Sequence, residues 1–156
     1  MKPRDLNTKI REVLMLLHSD LVARNISLSL QLSPRLPLVN GDRVQLEQVL
    51  MNLILNGCDA MSASPPGERR LIIQTESEGD DRVRVSVVDH GVGLAPELLE
   101  RVFEPLYSTK VHGLGMGLAI CKSIITAHGG RIWAANNPDR GAAFHFMLMV
   151  VGKEPA

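Results

Sequence analysis

The chain has 156 residues, of which 45% are hydrophobic and 22% charged, and its 17 basic and 17 acidic residues give a formal net charge of zero. This length and composition are typical of one soluble globular domain. The balanced charge argues against a protein that binds nucleic acid or an anionic membrane through bulk charge. Because no apolar run in the sequence reaches the ~18 residues of a membrane span, we expect a cytoplasmic domain without direct membrane contact. Its parent protein is either soluble or membrane-anchored.

The N-terminal part of the chain predicts two helices and a strand. Apolar residues at helical spacing between positions 5 and 23 predict an amphipathic helix. Alternating apolar and polar residues from 26 to 32 predict a half-buried strand. Asp42 is a favourable N-cap for a long helix that ends near Met61.

The later elements predict a sheet that carries helices on one face. The sequence predicts a hairpin of strands at 69–77 and 82–89, a short helix at 95–103, a helix at 115–130, and two further strands at 131–135 and 142–150. This order predicts an α/β (α+β) two-layer sandwich. Cys58 and Cys121 both lie within apolar helical patterns, so we expect them to be buried free thiols.

Polar residues form a stripe along the long helix that follows Asp42. At about 3.6 residues per turn, Gln48, Asn52, Asn56 and Asp59 lie on one side of a helix whose other sides are mostly apolar. One interpretation is a solvated helix edge, or amides that bind the backbone. The other is the wall of a cavity, because a helix that is apolar on most sides is expected to be covered. Amide oxygens suit Mg²⁺, which prefers oxygen ligands and commonly binds together with phosphate groups.

A second motif, D-x-G-x-G, follows the strand predicted at 82–89. It comprises Asp89, Gly91 and Gly93. Glycine permits a sharp turn and the close approach of a ligand, and a carboxylate at a strand end can accept a hydrogen bond from an amine such as that of adenine. The alternative is an ordinary Asp–Gly turn.

A third motif, G-x-G-x-G, leads into the helix predicted at 115–130. Its glycines are Gly113, Gly115 and Gly117. The free N–H groups of a helix N-terminus bind anions, and Lys110 just upstream is a candidate phosphate contact. The spacing matches neither the Rossmann fingerprint nor the P-loop. The alternative is a flexible glycine hinge.

Taken in order, these motifs resemble the catalytic and ATP-binding domain of sensor histidine kinases. The resemblance covers about residues 5–150 and rests on the blocks DRVQLEQVLMNLILNGCDAM, VVDHGVGL, VFEPLYSTK, GLGMGLAICKSIITAHGGRIWA and GAAFHF. The third block is similar in particular to kinases of the oxygen- or aromatic-sensing, soluble-sensor type. The resemblance implies a mixed, largely antiparallel sheet of about five strands with three main helices across one face.

The resemblance also implies ATP and Mg²⁺ as ligands, and the residues that bind them. Asn56 would hold Mg²⁺, and Asn52 would contact the phosphates or that metal. Asp89 would accept a hydrogen bond from the adenine amine, in a pocket shaped by Gly91 and Gly93. The other implied ATP-binding residues belong to the lid, a segment that would fold over the triphosphate, and to its glycine motif: Tyr107, Lys110, Gly113, Leu114, Gly115, Met116, Gly117 and Leu118. Tyr107 would line the nucleotide pocket or simply pack. Phe103 would pack at the base of the lid.

Asp59 departs from the family pattern. Many members have a lysine at this position, where it reaches phosphate. An acid cannot do the same, so Asp59 would instead bind a metal-bound water or cap the end of the helix. Lys110 would then neutralise more of the phosphate charge.

The residue at position 52 favours a kinase over an ATPase. ATPases of the same fold resemble each other in a glutamate four residues before the metal asparagine, where it activates water as a general base. Here that residue is Asn52, and Glu47 points well away from Asn56 on a helix. An ATPase of the same fold and a degenerate nucleotide-binding regulatory module are the alternatives.

The sequence contains five histidines, and none stands in the acceptor pattern of the family, which His18 resembles only faintly. In this family the acceptor lies on a separate dimerisation domain. The expectation is therefore one catalytic and ATP-binding domain over residues 1–156, excised from a kinase whose dimerisation and sensor domains are absent from this chain. The implied partners are the dimerisation domain that carries the acceptor histidine and a downstream response regulator, and not nucleic acid.

Overall fold

The computed structural model describes residues 1–105 and 117–153. The strands are Lys2–Arg4 (β1), Ser27–Gln31 (β2), Val39–Gly41 (β3), Arg70–Glu78 (β4), Arg82–Asp89 (β5), Arg131–Asn136 (β6) and Ala142–Met149 (β7). The helices are Leu6–Leu16 (α1), His18–Ala23 (α2), Arg43–Ala60 (α3) and Gly117–Ala127 (α4).

Five of the strands form the main sheet, in the order β2-β4-β5-β7-β6. β2 is parallel to β4, and the other neighbours are antiparallel. β1 and β3 form a separate two-stranded antiparallel sheet. The prediction of a mixed, largely antiparallel sheet of about five strands is therefore confirmed.

The core lies between the main sheet and the helices. Leu50 and Leu53 of α3, Ile125 of α4 and Phe146 of β7 are all fully buried, and each such side chain stabilises the fold by roughly 1.5–3 kcal/mol relative to exposure. α3 contacts both α1 and α4 and is the central helix of the layer. The three main helices on one face of the sheet are as the sequence predicts.

Neither cysteine forms a disulfide and both are buried, as expected. Cys58 lies in α3 and is only 2% exposed. Its burial raises the pKa of the thiol to about 11, because desolvation disfavours the thiolate. Cys121 lies in α4, and its thiol is 3.9 Å from the carbonyl oxygen of Val49 in α3. Both thiols are therefore buried packing groups, and that of Cys121 lies between α4 and α3.

His128 joins the end of α4 to the start of α3. Its Nδ1 donates to the carbonyl oxygen of Ile124 at 2.7 Å, and its Nε2 accepts from the backbone N–H of Asp42 at 3.1 Å. We assign the ring proton to Nδ1 because only that tautomer satisfies both contacts. The Asp42 carboxylate accepts from the N–H of Gln45 at 2.8 Å, which confirms the predicted N-cap.

Two elements near the N-terminus differ from the prediction. The helix predicted over 5–23 is divided into α1 and α2, because Leu17 leaves helical geometry at φ −94° and ψ 3° while its side chain stays buried. The strand predicted as half-buried is an exposed edge strand, β2. Leu28 and Leu30 are each 37% exposed, and among the described residues β2 pairs with β4 alone, at the edge of the sheet.

The segment 95–103 also differs, because it forms two short 3₁₀ turns instead of one helix. The turns are Pro96–Leu98 and Arg101–Phe103. Val102 and Phe103 of the second turn are buried. Phe103 packs edge-on against Phe144 of β7, with ring centroids 6.1 Å apart.

Candidate functional site

The polar stripe of α3 lies between the buried face of the helix and solvent. Asn52, Asn56 and Asp59 are half-buried, whereas Gln48 is exposed. The Nδ2 of Asn52 donates to the carbonyl oxygen of Gly117 over 3.3 Å, which brings the stripe to the first turn of α4. Among the described residues, no hydrogen bond involves the side-chain amide of Asn56. Among the described residues, the Asn56 oxygen is therefore available to a ligand.

Asp59 forms an ion pair that the sequence did not suggest. Its Oδ1 lies 2.7 Å from Nη1 of Arg24, the C-cap residue that follows α2. The hydrogen bond to Asp59 raises the pKa of Arg24 above its usual value. The two side chains are 38% and 39% exposed, so water screens much of their attraction. The predicted contacts of Asp59 with a metal-bound water or with the helix end stay predictions beside this observed pair.

Asp89 ends β5 and is almost completely buried, with 1% of its surface exposed. Its Oδ1 accepts from the N–H of Gly91 at 2.8 Å and from the N–H of Ala142 at 3.2 Å. Burial raises the pKa of this carboxyl, and the two backbone hydrogen bonds oppose that shift only in part. A Cβ atom on Gly57 would lie 3.6 Å from the Cβ of Asp89. The carboxylate therefore stands against α3, next to the turn that carries Asn56.

The glycines of the D-x-G-x-G motif are required by close approach and by backbone conformation. A Cβ on Gly91 would lie 2.2 Å from the carbonyl oxygen of Ala60, so the loop passes too close to the end of α3 for any side chain. Gly93 has φ +74°, in the left-handed region that favours glycine. The motif therefore folds the chain tightly around Asp89.

Three further residues at this site were not predicted: one is the last residue of β6, and the other two lie in the turn that follows it. Asn136 binds the backbone N–H of Leu94 at 2.9 Å and its carbonyl oxygen at 2.5 Å. Asn137 Nδ2 donates to the carbonyl oxygen of Asp89 at 2.9 Å, and Arg140 Nε donates to that of Gly91 at 3.1 Å. The sequence NNPDRG was recognised only as a turn. Its Asn-rich composition is the one signal that could have suggested bonding to a neighbouring backbone.

Part of the predicted site lies outside the described residues. This applies to Tyr107, Lys110, Gly113, Leu114, Gly115 and Met116, which stay predictions. Gly117 and Leu118 open α4, where Gly117 is exposed and Leu118 half-buried. The structure thus brings together the stripe of α3, the loop after β5 and the start of α4.

These parts form a site with a buried carboxylate at one end and amide groups at the other. In the described part of the chain, no group of three or more His, Cys, Asp or Glu side chains could hold a metal ion. A metal bound here would therefore take oxygen ligands from Asn56 and from an anionic ligand, which is the manner in which Mg²⁺ binds with phosphates. The unused Asn56 amide fits that role. No helix within residues 1–105 and 117–153 is long and apolar enough to cross a membrane.

Comparisons with known proteins agree with this geometry. The family model for histidine kinase-, DNA gyrase B- and HSP90-like ATPases matches residues 41–151. The nucleotide-free catalytic domain of the histidine kinase ThkA is 35% identical, with a TM-score of 0.82 over 96% of this chain and 97% of that one. The chain belongs to the family of histidine kinase catalytic domains.

This kinase domain is also similar to parts of longer proteins. The sensor protein TdiS of Thauera aromatica is 40% identical over 149 residues, which are 95% of this chain and 27% of TdiS. The kinase domain thus spans about a quarter of that relative. Full-length ShkA, solved in complex with AMPPNP, is 28% identical, with a TM-score of 0.82 over 99% of this chain and 32% of that one. ThkA has also been solved in complex with the response regulator TrrA.

Proposed function

We propose that this kinase domain lies in the cytoplasm, binds Mg-ATP and transfers the γ-phosphoryl group to a histidine on a separate dimerisation domain, as the catalytic part of a two-component sensor kinase. The observation that carries the proposal is the placement of Asp89, a buried carboxylate beside the turn of α3 that holds Asn56. The family and the complex of ShkA with AMPPNP support nucleotide binding. Residues 1–156 would form one catalytic and ATP-binding domain.

Asp89 is the group that would select the base. Both hydrogen bonds that the described residues make to its carboxylate go to Oδ1. Oδ2 would then accept from the exocyclic amine of adenine, in the pocket shaped by Gly91 and Gly93. A base without that donor would leave a buried carboxylate oxygen unpaired, at a cost of roughly 1–3 kcal/mol. The arrangement therefore favours adenine over bases that carry an oxygen at this position.

The triphosphate of the bound ATP would lie along the polar stripe of α3. Asn56 would be the protein ligand of Mg²⁺, and Mg²⁺, when bound, neutralises phosphate charge and orients the transferred group. Asn52 already contacts the first turn of α4 through Gly117, so it would link the phosphate side of α3 to the N-terminus of α4. Lys110 and the glycines at 113 and 115 would complete the phosphate contacts as the sequence predicts.

The surroundings of Glu47 support a kinase over an ATPase. Its carboxylate is 3.4 Å from the ammonium group of Lys9, on the side of α3 that faces α1. An acid held there is poorly placed to activate a water at Asn56, and Asn52 has no basic group of the kind that the ATPases use. ATP would therefore persist until an acceptor histidine arrives. Sustained ATP hydrolysis by this chain that is lost in Asn52→Ala would contradict the kinase assignment.

The dimerisation domain, which carries the acceptor histidine, would dock beside the triphosphate of the bound ATP. A groove of about 310 Å³ runs between α3 and α4, lined by Gln45, Gln48, Pro105, Ala119, Ile120, Ser123 and Ile124. Gln48 lies one helical turn before Asn52, so the groove leads toward the stripe. The dimerisation domain would bind there, and the complex of ThkA with TrrA supports a response regulator as the downstream partner.

Calorimetric titration with ATP, with and without Mg²⁺, tests the proposal. We expect the chain to bind ATP with a dissociation constant on the order of 1–100 µM. Asp89→Asn should abolish binding, whereas Asn56→Ala should retain binding but lose most of its Mg²⁺ dependence. Asn40→Ala, an exposed substitution in β3, is the control and should leave both unchanged. Absence of ATP binding by the unaltered chain would instead favour a degenerate module.

A further inference from the structure

The loop from Asp89 to Leu94 contains no helix or strand after the end of β5. Its backbone is instead held by side chains of the turn at 136–141. Asn137 Nδ2 donates to the carbonyl oxygen of Asp89 and Arg140 Nε to that of Gly91, at 2.9 and 3.1 Å. Asn136 makes two hydrogen bonds to the backbone of Leu94. Asp89, Gly91 and Leu94 are thus all held by side chains of the same segment, residues 136–141.

The turn is itself held by hydrogen bonds. The backbone N–H of Asn137 donates to the carbonyl oxygen of Gly141 at 2.9 Å, and its side chain also donates to that of Arg140 at 3.0 Å. A Cβ on Gly141 would lie 2.1 Å from the carbonyl oxygen of Asp89, so the two backbones are in direct contact. The next residue, Ala142, supplies one of the two N–H groups on the Asp89 carboxylate. Any shift of the turn therefore moves Asp89.

Arg140 extends this support to α3. Its Nη2 lies 3.2 Å from the hydroxyl of Ser64, in the segment that follows α3, and Ser64 is 3% exposed. One side chain therefore bonds both the D-x-G-x-G loop and the segment after the helix that carries Asn56. An arginine suits this role because its planar guanidinium donates in two directions at once.

We propose that Asn137 and Arg140 are positioning residues that set the discrimination of this site for adenine. The inference rests on the proposed function, because it assigns these residues to the support of Asp89 in nucleotide binding. Neither residue needs to touch the ligand. They hold the Asp89 carboxylate and the loop backbone in place before the base arrives, so that little ordering is required on binding.

The test compares ATP with inosine triphosphate (ITP), which carries an oxygen where ATP carries the exocyclic amine. Calorimetric titrations of both nucleotides, with Mg²⁺, are made on the unaltered chain, Asn137→Asp and Arg140→Gln. Asn137→Asp preserves the size of the side chain and removes the donor to Asp89. Asn40→Asp makes the same chemical change at an exposed position in β3 and is the matched control.

We expect the unaltered chain and Asn40→Asp to prefer ATP strongly. In Asn137→Asp and Arg140→Gln, ATP affinity should fall about tenfold, the effect of one well-placed hydrogen bond, while ITP affinity changes much less. An ATP-to-ITP ratio that stays unchanged in both variants would overturn the inference, whether the two affinities hold or fall together, because a merely structural role affects both nucleotides alike. Failure of the unaltered chain to bind ATP would overturn the proposed function itself.

Discussion

At Asp89 the requirements of binding and of stability oppose each other. Burial raises the pKa of this carboxyl above its ordinary value of 3.8. Below that ordinary value the side chain is protonated in both the folded and the unfolded chain. Above the raised folded pKa, the folded chain holds a carboxylate that the unfolded chain would hydrate better. Asp89 therefore contributes stability at low pH that is lost as the pH rises through its folded pKa.

Asp89→Asn should consequently stabilise the domain at neutral pH while it abolishes ATP binding. Asparagine keeps an oxygen that accepts the two backbone hydrogen bonds and removes the buried charge. We expect the melting temperature to rise by a few degrees at about pH 7 and the gain to shrink as the pH falls toward about 4. Thermal melts across this range measure the effect.

The exposed substitution Asp80→Asn, in the turn between β4 and β5, is the control for the loss of a negative charge. A variant at Asp89 that is less stable than the unaltered chain at neutral pH would contradict the argument. It would mean that the hydrogen bonds to the carboxylate outweigh its desolvation.

The same residues show what sequence reasoning can and cannot find at this scale. Asp89 and Gly91 were predicted because a carboxylate followed by spaced glycines has a chemical meaning in a single local stretch. Asn137 and Arg140 were not predicted, since they bind backbone atoms 48 and 49 residues away. A side chain that bonds a distant main chain leaves no periodic pattern in the sequence. The partner of Asp59 was missed for the same reason, because Arg24 lies 35 residues away.

Among the elements, the junction of α3 and α4 depends on His128. We expect His128→Ala to lower the free energy of unfolding by about 1–2 kcal/mol, because it removes an acceptor from the N–H of Asp42 and a donor to Ile124. Chemical denaturation measures the change. His18→Ala, at an exposed position in α2, should cost much less, and an equal loss in the two variants would refute a special role for the junction.

α3 was predictable because its cap and its apolar period lie within one continuous segment. Leu46, Val49, Leu50 and Leu53 are all fully buried, as the helical spacing requires. The exposure of β2 was not predictable, because alternation shows that a strand has two faces but not where it stands in the sheet. β1 has only three residues, including Pro3, and is too short to produce a pattern.

At the scale of the whole molecule, we expect the isolated chain to bind ATP without phosphorylating itself. The isolated chain should bind ATP and incorporate no γ-phosphoryl group, whereas addition of the cognate dimerisation domain should produce labelling on that domain. Ile120→Glu, in the groove between α3 and α4, should lower the transfer rate at least about tenfold through loss of apolar contact and leave ATP affinity unchanged. Transfer of radiolabelled γ-phosphate measures both effects.

Val44→Glu is the control for a new surface carboxylate, because Val44 is 59% exposed on α3 and does not line the groove. Stable phosphorylation of the isolated chain on His18 would contradict the assignment of the acceptor to a separate domain. ATP binding without transfer to the supplied domain would favour the regulatory module. Equal loss of transfer in Ile120→Glu and Val44→Glu would rule out the groove as the docking site.

The mixed, largely antiparallel sheet was implied by the resemblance to histidine kinase catalytic domains, and the two-layer α/β sandwich could be predicted from the order of the helices and strands. The pairing of β1 with β3 and the support of the D-x-G-x-G loop by a later turn could not. Both depend on contacts between segments that lie far apart in the chain.

The buried thiols have a practical consequence for experiments in solution. Cys58 is hidden from solvent and, with a pKa of about 11, stays protonated at neutral pH, and Cys121 is fully covered. Maleimides and peroxides react with exposed thiolates, so both native sulfur atoms should react slowly while the domain is folded. A cysteine introduced on the surface would then be the preferred point of attachment for a fluorophore, without prior removal of the native pair. Fast labelling of the unaltered chain would, in turn, report that α3 or α4 has opened.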